Sequence, residues 1–223
     1  MENSSPVILE RPSVVESRHE PNRYLRVLKA CLNDPGQVAS ICPSGSELNE
    51  RLSSDSCFLN AYTVVEIGPG NGETTKEILA RMPANATLLV IEKTAAFIPS
   101  LKAIDDPRLI VKHGDALDLV DYLVRGRIKN PDVVVSGVPF SSLQPSTARD
   151  LVDSVYNVLP ENGKFVAYQV RNHVARYAKP FFGSPDKVQW VWLNLPPVRI
   201  YRWTKRSLGA SSLSAGSVST TRY

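Results

Sequence analysis

The sequence predicts an α/β domain whose seven-stranded sheet is mostly parallel and ends in an antiparallel hairpin. From residue 62 onward, short runs rich in Val, Ile and Leu alternate with amphipathic segments. This is the pattern of parallel strands that helices cover on both faces. A glycine-rich turn directly follows the first run. The last two runs have no convincing helix between them, which favours a hairpin.

The predicted strands and helices follow each other in a regular order. The strand candidates are short runs rich in β-branched residues, at residues 62–67, 87–91, 109–112, 132–136, 164–170, 188–193 and 198–203. The helix candidates between them occupy residues 73–82, 95–101, 117–124 and 145–159. In the longest one, Leu151, Val155 and Leu159 share one apolar stripe, and Pro145 suits a first helical turn.

Flanking segments differ in composition from this alternating domain, which we place at residues 55–206. Residues 1–21 are rich in Ser, Pro and Glu, and residues 207–223 in Ser, Gly, Ala and Thr, so both are predicted to be disordered. Residues 22–54 are predicted to form helices that cover the ligand site. The second of these begins near Ser44, because Ser44 and Glu47 have the spacing of a capping box.

Composition places the protein among ordinary globular domains. It is 43% hydrophobic and 22% charged. Three cysteines without a C-x-x-C pair give no metal pattern and fit a reduced setting. The first residues are too polar for a secretion signal, and no apolar run approaches the roughly 18 residues of a membrane-spanning helix. We therefore expect a cytoplasmic protein without a transmembrane segment.

Charge is unevenly distributed along the chain. Residues 164–223 contain ten Lys or Arg and one acid, Asp186, so they carry +9 and leave −5 for the remainder of a chain with net charge +4. Such asymmetry is typical of proteins that contact an anionic partner, such as lipid headgroups or nucleic acid. It also occurs in basic tails that only keep a protein in solution. The sequence leaves both interpretations open, including peripheral contact with a membrane through basic segments.

The strongest local motif is the glycine-rich turn that follows the first predicted strand. Residues 64–74 read VVEIGPGNGET, with Gly68, Gly70 and Gly72 at G-x-G-x-G spacing. A strand, a glycine turn and a helix in this order bind nucleotides in α/β folds. Glu66 at the end of the strand is awkward for a pyrophosphate and suits a ligand with a cationic amine. We therefore predict a nucleoside ligand without phosphate.

Acidic residues end the next two predicted strands. Glu92 lies 24 residues after Gly68, close to the distance at which an acid binds a ribose in dinucleotide folds. The alternative is a surface carboxylate paired with Lys93. Asp115, which Ala116 follows, can accept a hydrogen bond from an adenine amino group. It can also cap the helix that begins there, and the two roles are compatible.

A rigid rim is predicted where the fourth strand ends. The segment from Ser136 to Phe140 reads SGVPF, a small residue, a proline and an aromatic at the carboxyl end of a strand. Phe140 can face a sulfonium or ammonium group through a cation–π contact. A phenylalanine that packs into the core is an equally good interpretation.

At these four points the chain resembles the class I S-adenosylmethionine-dependent methyltransferases, over about residues 62–203. The resemblance implies a Rossmann-like sheet of seven strands that binds S-adenosylmethionine. It places the three glycines of the turn, with Glu66, around the methionine part. It also places Glu92 on the ribose, and Asp115 with Ala116 near the adenine. Ser44 and Ser136 complete the set of residues that we expect at the cofactor.

Two narrower resemblances concern the acceptor. Residues 34–44, 136–139, 165–168 and 194–197 are similar to bacterial phospholipid N-methyltransferases. In those enzymes a Thr-Tyr pair, whose tyrosine helps to orient the acceptor, stands where this chain has Gln169 and Val170. The chain is more distantly similar to ribosomal RNA adenine dimethylases. They usually begin the rim with Asn where this chain has Ser136, which disfavours nucleic acid as the substrate.

Three functions follow from this resemblance. The first is N-methyl transfer to an amine of a small molecule or phospholipid headgroup. Tyr168 is then the preferred residue on the acceptor side, and His173 is a base unless it is only a surface residue. The second is cyclisation of S-adenosylmethionine to azetidine-2-carboxylate with release of methylthioadenosine, as in some natural-product pathways. The third is a non-catalytic protein that binds membrane or RNA.

Overall fold

The computed structural model describes residues 45–53, 56–192 and 197–207. One seven-stranded sheet has the strand order β3-β2-β1-β4-β5-β7-β6, which confirms the predicted fold class. Strands β1 to β5 are parallel, and β7 pairs antiparallel with both β5 and β6. The strands are β1 Thr63–Ile67, β2 Thr87–Glu92, β3 Leu109–His113, β4 Val133–Ser136, β5 Lys164–Gln169, β6 Lys187–Val191 and β7 Val198–Thr204.

Within these ranges, six α-helices accompany the sheet. They are α1 Gly45–Ser53, α2 Glu73–Arg81, α3 Ile98–Lys102, α4 Leu119–Gly126, α5 Pro145–Val158 and α6 His173–Phe182. Helix α6 has no counterpart among the predicted helices, although Val174, Ala178 and Phe181 have helical spacing. Pro180, in the last turn of the helix, obscures that pattern, because a proline normally argues against a helix interior.

The sheet separates two hydrophobic cores. Val65, Leu89 and Val134 pack on the face covered by α4, α5 and α6. Their neighbours Val64 and Leu88 pack on the other face with side chains of α1 and α2. Because successive side chains of a strand point to opposite faces, a strand covered on both sides has no polar face. This explains why the strands appear in the sequence as continuous apolar runs.

Strand order reverses beside β1, which lies between β2 and β4. The connections after β1 and β4 therefore leave in opposite directions and open a crevice at the carboxyl ends of the two strands. The glycine turn lies between β1 and α2, and the predicted rim follows β4. The fold thus brings these two motifs to one edge of the sheet.

The N-terminal predictions are tested only in part. The first of the helices predicted within residues 22–54, Ser44 and the segments 1–21 and 208–223 lie outside the described residues. Helix α1 begins at Gly45, directly after the predicted cap, and Glu47 forms an ion pair with Arg51 at 2.7 Å. Helix α1 packs against α2 and also contacts β6. Within the described ranges, no helix has the length and apolar character needed to cross a bilayer.

Replacing Phe165 with Ala tests the core beneath α6. The Phe165 ring is fully buried and stacks on Trp203 at 5.2 Å and on Phe182 at 5.5 Å between centroids. We expect Phe165→Ala to lower the free energy of unfolding by about 3–5 kcal/mol, because it leaves a cavity. Urea denaturation measures this loss. Val124→Ala on the exposed side of α4 is the control, with an expected change below about 0.5 kcal/mol.

Candidate functional site

The turn after β1 depends on the conformational freedom of its glycines. Gly68, Gly70 and Gly72 have φ angles of 70°, 63° and 91°, a region that side chains with a Cβ rarely adopt. A Cβ at Gly68 would lie 3.0 Å from Cγ2 of Val138. At Gly70, nothing lies within 4 Å of that position. The turn therefore packs against the rim at Gly68 and exposes open backbone at Gly70, where a ligand can approach.

Glu66 lies fully buried beneath this turn. Its carboxylate accepts hydrogen bonds from the hydroxyl groups of Thr74 and Thr75 in the first turn of α2, the second at 2.6 Å. Burial raises the pKa of Glu66 from 4.5 to about 7, and the two hydroxyl donors oppose part of that rise. The residue can therefore gain or lose a proton near neutral pH.

Glu92 ends β2 on the other side of the turn. Its two carboxylate oxygens accept the backbone N–H groups of Gly70, at 3.0 Å, and Thr94, at 2.7 Å. The side chain is only 5% exposed, and Lys93 binds Asp115 instead. Glu92 is therefore not the surface partner of Lys93. Each carboxylate oxygen can still accept a second hydrogen bond, and the ribose contact stays a prediction.

Asp115 lies at the carboxyl end of β3 and has two partners. Its Oδ1 accepts the backbone N–H of Leu117 at 3.0 Å, which confirms the predicted cap. Its Oδ2 accepts from Lys93 Nζ at 2.8 Å, and this hydrogen bond lowers the pKa of Asp115. Ala116 is half-buried beside it. The contacts of Asp115 and Ala116 with an adenine stay predictions.

The rim after β4 is held by a residue whose structural role the sequence did not reveal. Gln169, at the end of β5, donates from Nε2 to the carbonyl oxygen of Val138 at 2.7 Å. Its Oε1 accepts the backbone N–H of Phe140 at 3.2 Å. Ser136 is fully buried, and its hydroxyl accepts the N–H of Val138 at 3.3 Å. Both polar ends of Gln169 are therefore engaged in shaping the rim.

Tyr168 reaches into the same crevice. A Cβ at Gly137 would collide with the Tyr168 hydroxyl group and would lie 2.5 Å from the carbonyl oxygen of Gly68. The hydroxyl shares a hydrogen bond with Thr74, and burial raises its pKa well above the usual 10. Tyr168, Thr74 and Glu66 therefore form one buried chain of hydrogen bonds. No motif in the sequence indicates that Gly137 is the residue that leaves space for the Tyr168 side chain.

Phe140 and His173 lie where β4 and β5 lead into helices. Phe140 is 1% exposed and packs in the core, 6.4 Å from the ring of Tyr177; its contact with a sulfonium stays a prediction. His173 begins α6. Its Nδ1 is buried and has no hydrogen-bond partner among the described residues. His173 as a whole is half-buried and is therefore not a fully exposed surface residue. It remains a candidate base.

The structure thus gathers most of the predicted site at one edge of the sheet. The crevice is bordered by the glycine turn, Glu92 and Tyr168, with Glu66 and Ser136 buried behind its walls; these residues come from four different strands or the turns that follow them. Asp115 and His173 end or follow strands at that same edge. Among the described residues, no group of three or more His, Cys, Asp or Glu could hold a metal ion.

The sequence and the fold were compared with those of known proteins. No family model matches the chain. An ornithine lipid N-methyltransferase of Singulisphaera acidiphila is 32% identical over 169 residues, 74% of this chain and 86% of that protein. A mitochondrial dimethyladenosine transferase 1 of Bos taurus is 33% identical over 50% of this chain and 34% of its own. The solved N-methyltransferase NodS of Bradyrhizobium japonicum has a TM-score of 0.59 at 15% identity, covering 74% of this chain and 97% of NodS.

The buried carboxyl group of Glu66 makes the stability of the protein depend on pH. Because folding raises its pKa from 4.5 to about 7, the folded state holds a proton that the unfolded state has lost between these values. The contribution of Glu66 to the free energy of unfolding is therefore fully present below about pH 4.5, and it is lost as the pH rises through 7. Glu66→Gln cannot lose this proton. We therefore expect its free energy of unfolding, relative to that of the wild type, to increase by roughly 2–3 kcal/mol as the pH rises from 5 to 8.

Urea denaturation at several pH values measures this gain. Glu161→Gln is the matched control, because Glu161 is exposed in the turn before β5. A constant difference between Glu66→Gln and the wild type across this pH range would contradict the assigned pKa.

Proposed function

Because the chain belongs to the class I S-adenosylmethionine-dependent methyltransferases, we propose that it transfers a methyl group to the amine of a lipid headgroup or a related small molecule. The observation that carries this proposal is the open backbone at Gly70, whose N–H is held by the carboxylate of Glu92, with the carboxyl group of Glu66 buried beneath the turn. An acid at this opening and a second one beneath it suit a positively charged ligand without phosphate. The similarity to a lipid N-methyltransferase supports an aminolipid as the acceptor.

The residues of the crevice fit the cofactor. The left-handed glycine turn lets the methionine part approach the backbone near Gly70. Glu92 retains capacity to accept hydrogen bonds from ribose hydroxyl groups, and Asp115 can accept from the adenine amino group. The bound cofactor supplies an electrophilic methyl group on its sulfonium centre. The protein must then orient the amine in line with that methyl group and exclude water.

The acceptor side is formed by the residues that follow β4 and β5. The rim, which Gln169 holds in place, gives a rigid wall for the amine. Tyr168 offers a hydroxyl group within this wall, and its raised pKa keeps it protonated, so it does not act as a base. Its proton is engaged with Thr74, and its oxygen can still accept a hydrogen bond from the amine. His173 begins the helix that follows β5 at this edge, and we assign to its imidazole the proton that the amine releases.

A second function is favoured by the protonation of Glu66. A carboxyl group with a pKa of about 7 beside the methionine part can accept a proton from the cofactor's own α-ammonium group. The freed amine would attack the γ-carbon and break its bond to sulfur. The products are azetidine-2-carboxylate and methylthioadenosine. Gln169 holds the rim by one hydrogen bond from each polar end, and Val170 beside it has no polar side-chain group with which to orient an external acceptor.

Mass spectrometry of the products separates these two functions. The protein is incubated with S-adenosylmethionine alone and with an ornithine lipid or phosphatidylethanolamine in detergent micelles. Methyl transfer yields S-adenosylhomocysteine and a lipid heavier by one methyl group, and only when the lipid is present. Methylthioadenosine without any acceptor would instead establish the cyclisation and contradict methyl transfer as the main reaction.

Replacing Glu92 with Ala tests the proposed cofactor site. The variant loses the carboxylate that anchors Gly70 and that we assign to the ribose. We expect the dissociation constant for S-adenosylmethionine to rise by about 10- to 100-fold, the range for hydrogen bonds to a charged group. Isothermal titration calorimetry measures it. Glu161→Ala, in the exposed turn before β5, should bind as the wild type does, and equal binding by Glu92→Ala would remove Glu92 from the site.

A further inference from the structure

An aromatic surface on the hairpin lies outside the proposed catalytic site. Trp190 and Trp192 stack in parallel, with centroids 4.5 Å apart and planes 8° apart. The guanidinium carbon of Arg199 lies 4.0 Å from the ring centroid of Trp190. Trp192 is 64% exposed, which is rare for so large an apolar side chain. We refer to Trp190, Trp192 and Arg199 as the aromatic patch.

The aromatic patch is anchored to the hydrophobic core. Arg199 Nη1 lies 3.4 Å from the Tyr201 hydroxyl oxygen, and the Tyr201 ring stacks on Trp203 at 5.7 Å. Trp203 is 1% exposed and stacks in turn on a core phenylalanine. The exposed tryptophan is thus the outer end of a row of stacked groups that reaches the core. Such a row holds the patch in place before a partner arrives, which lowers the entropic cost of binding.

The direction of β6 places the patch beside the crevice. Strand β7 is antiparallel to β5, and β6 is antiparallel to β7, so β6 runs in the same direction as β1 to β5. Trp192 directly follows β6, and Arg199 pairs with Gln169 across β5 and β7. The patch and the catalytic crevice therefore occupy the same edge of the sheet.

We propose that the aromatic patch docks this edge of the protein onto the surface of an anionic lipid bilayer. The proposal rests on the proposed function to the extent that it takes the acceptor to be a lipid. Tryptophan rings prefer the headgroup region of a membrane, since one side of the ring is apolar and the indole N–H is polar. Arginine stacked on such a ring can bind lipid phosphates.

The charge around the patch complements an anionic surface. Residues 164–223 carry +9. Helix α6 follows β5 at this edge of the sheet and exposes Arg176 in its first turn. Basic side chains near a bilayer with anionic lipids are attracted to it, and the attraction decreases with salt. Docking through this edge would bring lipid headgroups to the opening of the crevice without requiring the lipid to leave the membrane.

Vesicle partition of the full chain tests this docking. Vesicles of phosphatidylcholine mixed with phosphatidylglycerol are sedimented with the wild type and with Trp192→Ala, Trp192→Phe and Tyr62→Ala. Tyr62 is the matched control, because it is an aromatic residue with 58% exposure that precedes β1 at the opposite edge of the sheet. We expect Trp192→Ala to lower the partition coefficient by about tenfold and Tyr62→Ala to change it by less than about twofold.

Fluorescence and the oligomeric state separate docking from dimerisation through the same patch. Trp192→Phe should recover most of the partition, and the fluorescence of the wild type should shift to shorter wavelength on vesicles. Equal partition of wild type and Trp192→Ala, or no partition of the wild type, would overturn the proposal. The proposal would also be overturned if the wild type formed a dimer that Trp192→Ala abolishes and the wild type did not bind vesicles.

Methyl transfer to an aminolipid in detergent micelles is measured on the same variants. Absence of transfer in all variants, including the wild type, would contradict the proposed function. Normal transfer in micelles by Trp192→Ala, combined with weak partition to vesicles, would support docking as a role separate from catalysis.

Discussion

The turns that follow β1 and β4 approach each other so closely that neither Gly68 nor Gly137 has room for a larger side chain. Gly68 contacts the rim at Val138, and a Cβ at Gly137 would meet both the Gly68 carbonyl oxygen and the Tyr168 hydroxyl group. Gln169 fixes the rim from the adjacent strand by two hydrogen bonds to its backbone. The shape of the crevice between β1 and β4 depends on this contact between two turns.

Close packing at the crevice also accounts for its electrostatics. Glu66 is buried because α2 begins directly above it and supplies two hydroxyl donors. Those donors satisfy the carboxyl group without neutralising its charge, so burial still raises its pKa to about 7. The acid is explained by the ligand that we propose, which carries positive charge on an amine and on sulfur.

The carboxyl ends of parallel strands lie at one edge of a sheet. In this protein the terminal hairpin brings the end of one more strand to that edge. The strands β1 to β4 bring the residues that we propose for the cofactor to their carboxyl ends, and β5 adds Tyr168 and Gln169. The two antiparallel steps of the hairpin return β6 to the same direction. The aromatic patch is therefore next to the crevice by topology, although Trp192 is far from Glu66 in sequence.

The fold class and the cofactor half of the site can be predicted from the order of the amino acids alone. Apolar runs that alternate with amphipathic segments specify covered parallel strands, and the glycine turn with acids at the ends of the next two strands is a local signal. Helix α6 is an intermediate case, since its apolar spacing is present but Pro180 obscures it. The role of Gln169, the space at Gly137 for Tyr168, the burial of His173 Nδ1 and the stacking on Trp190 emerge only in three dimensions. They depend on contacts between strands that lie far apart in the chain, and no spacing of residues encodes such contacts.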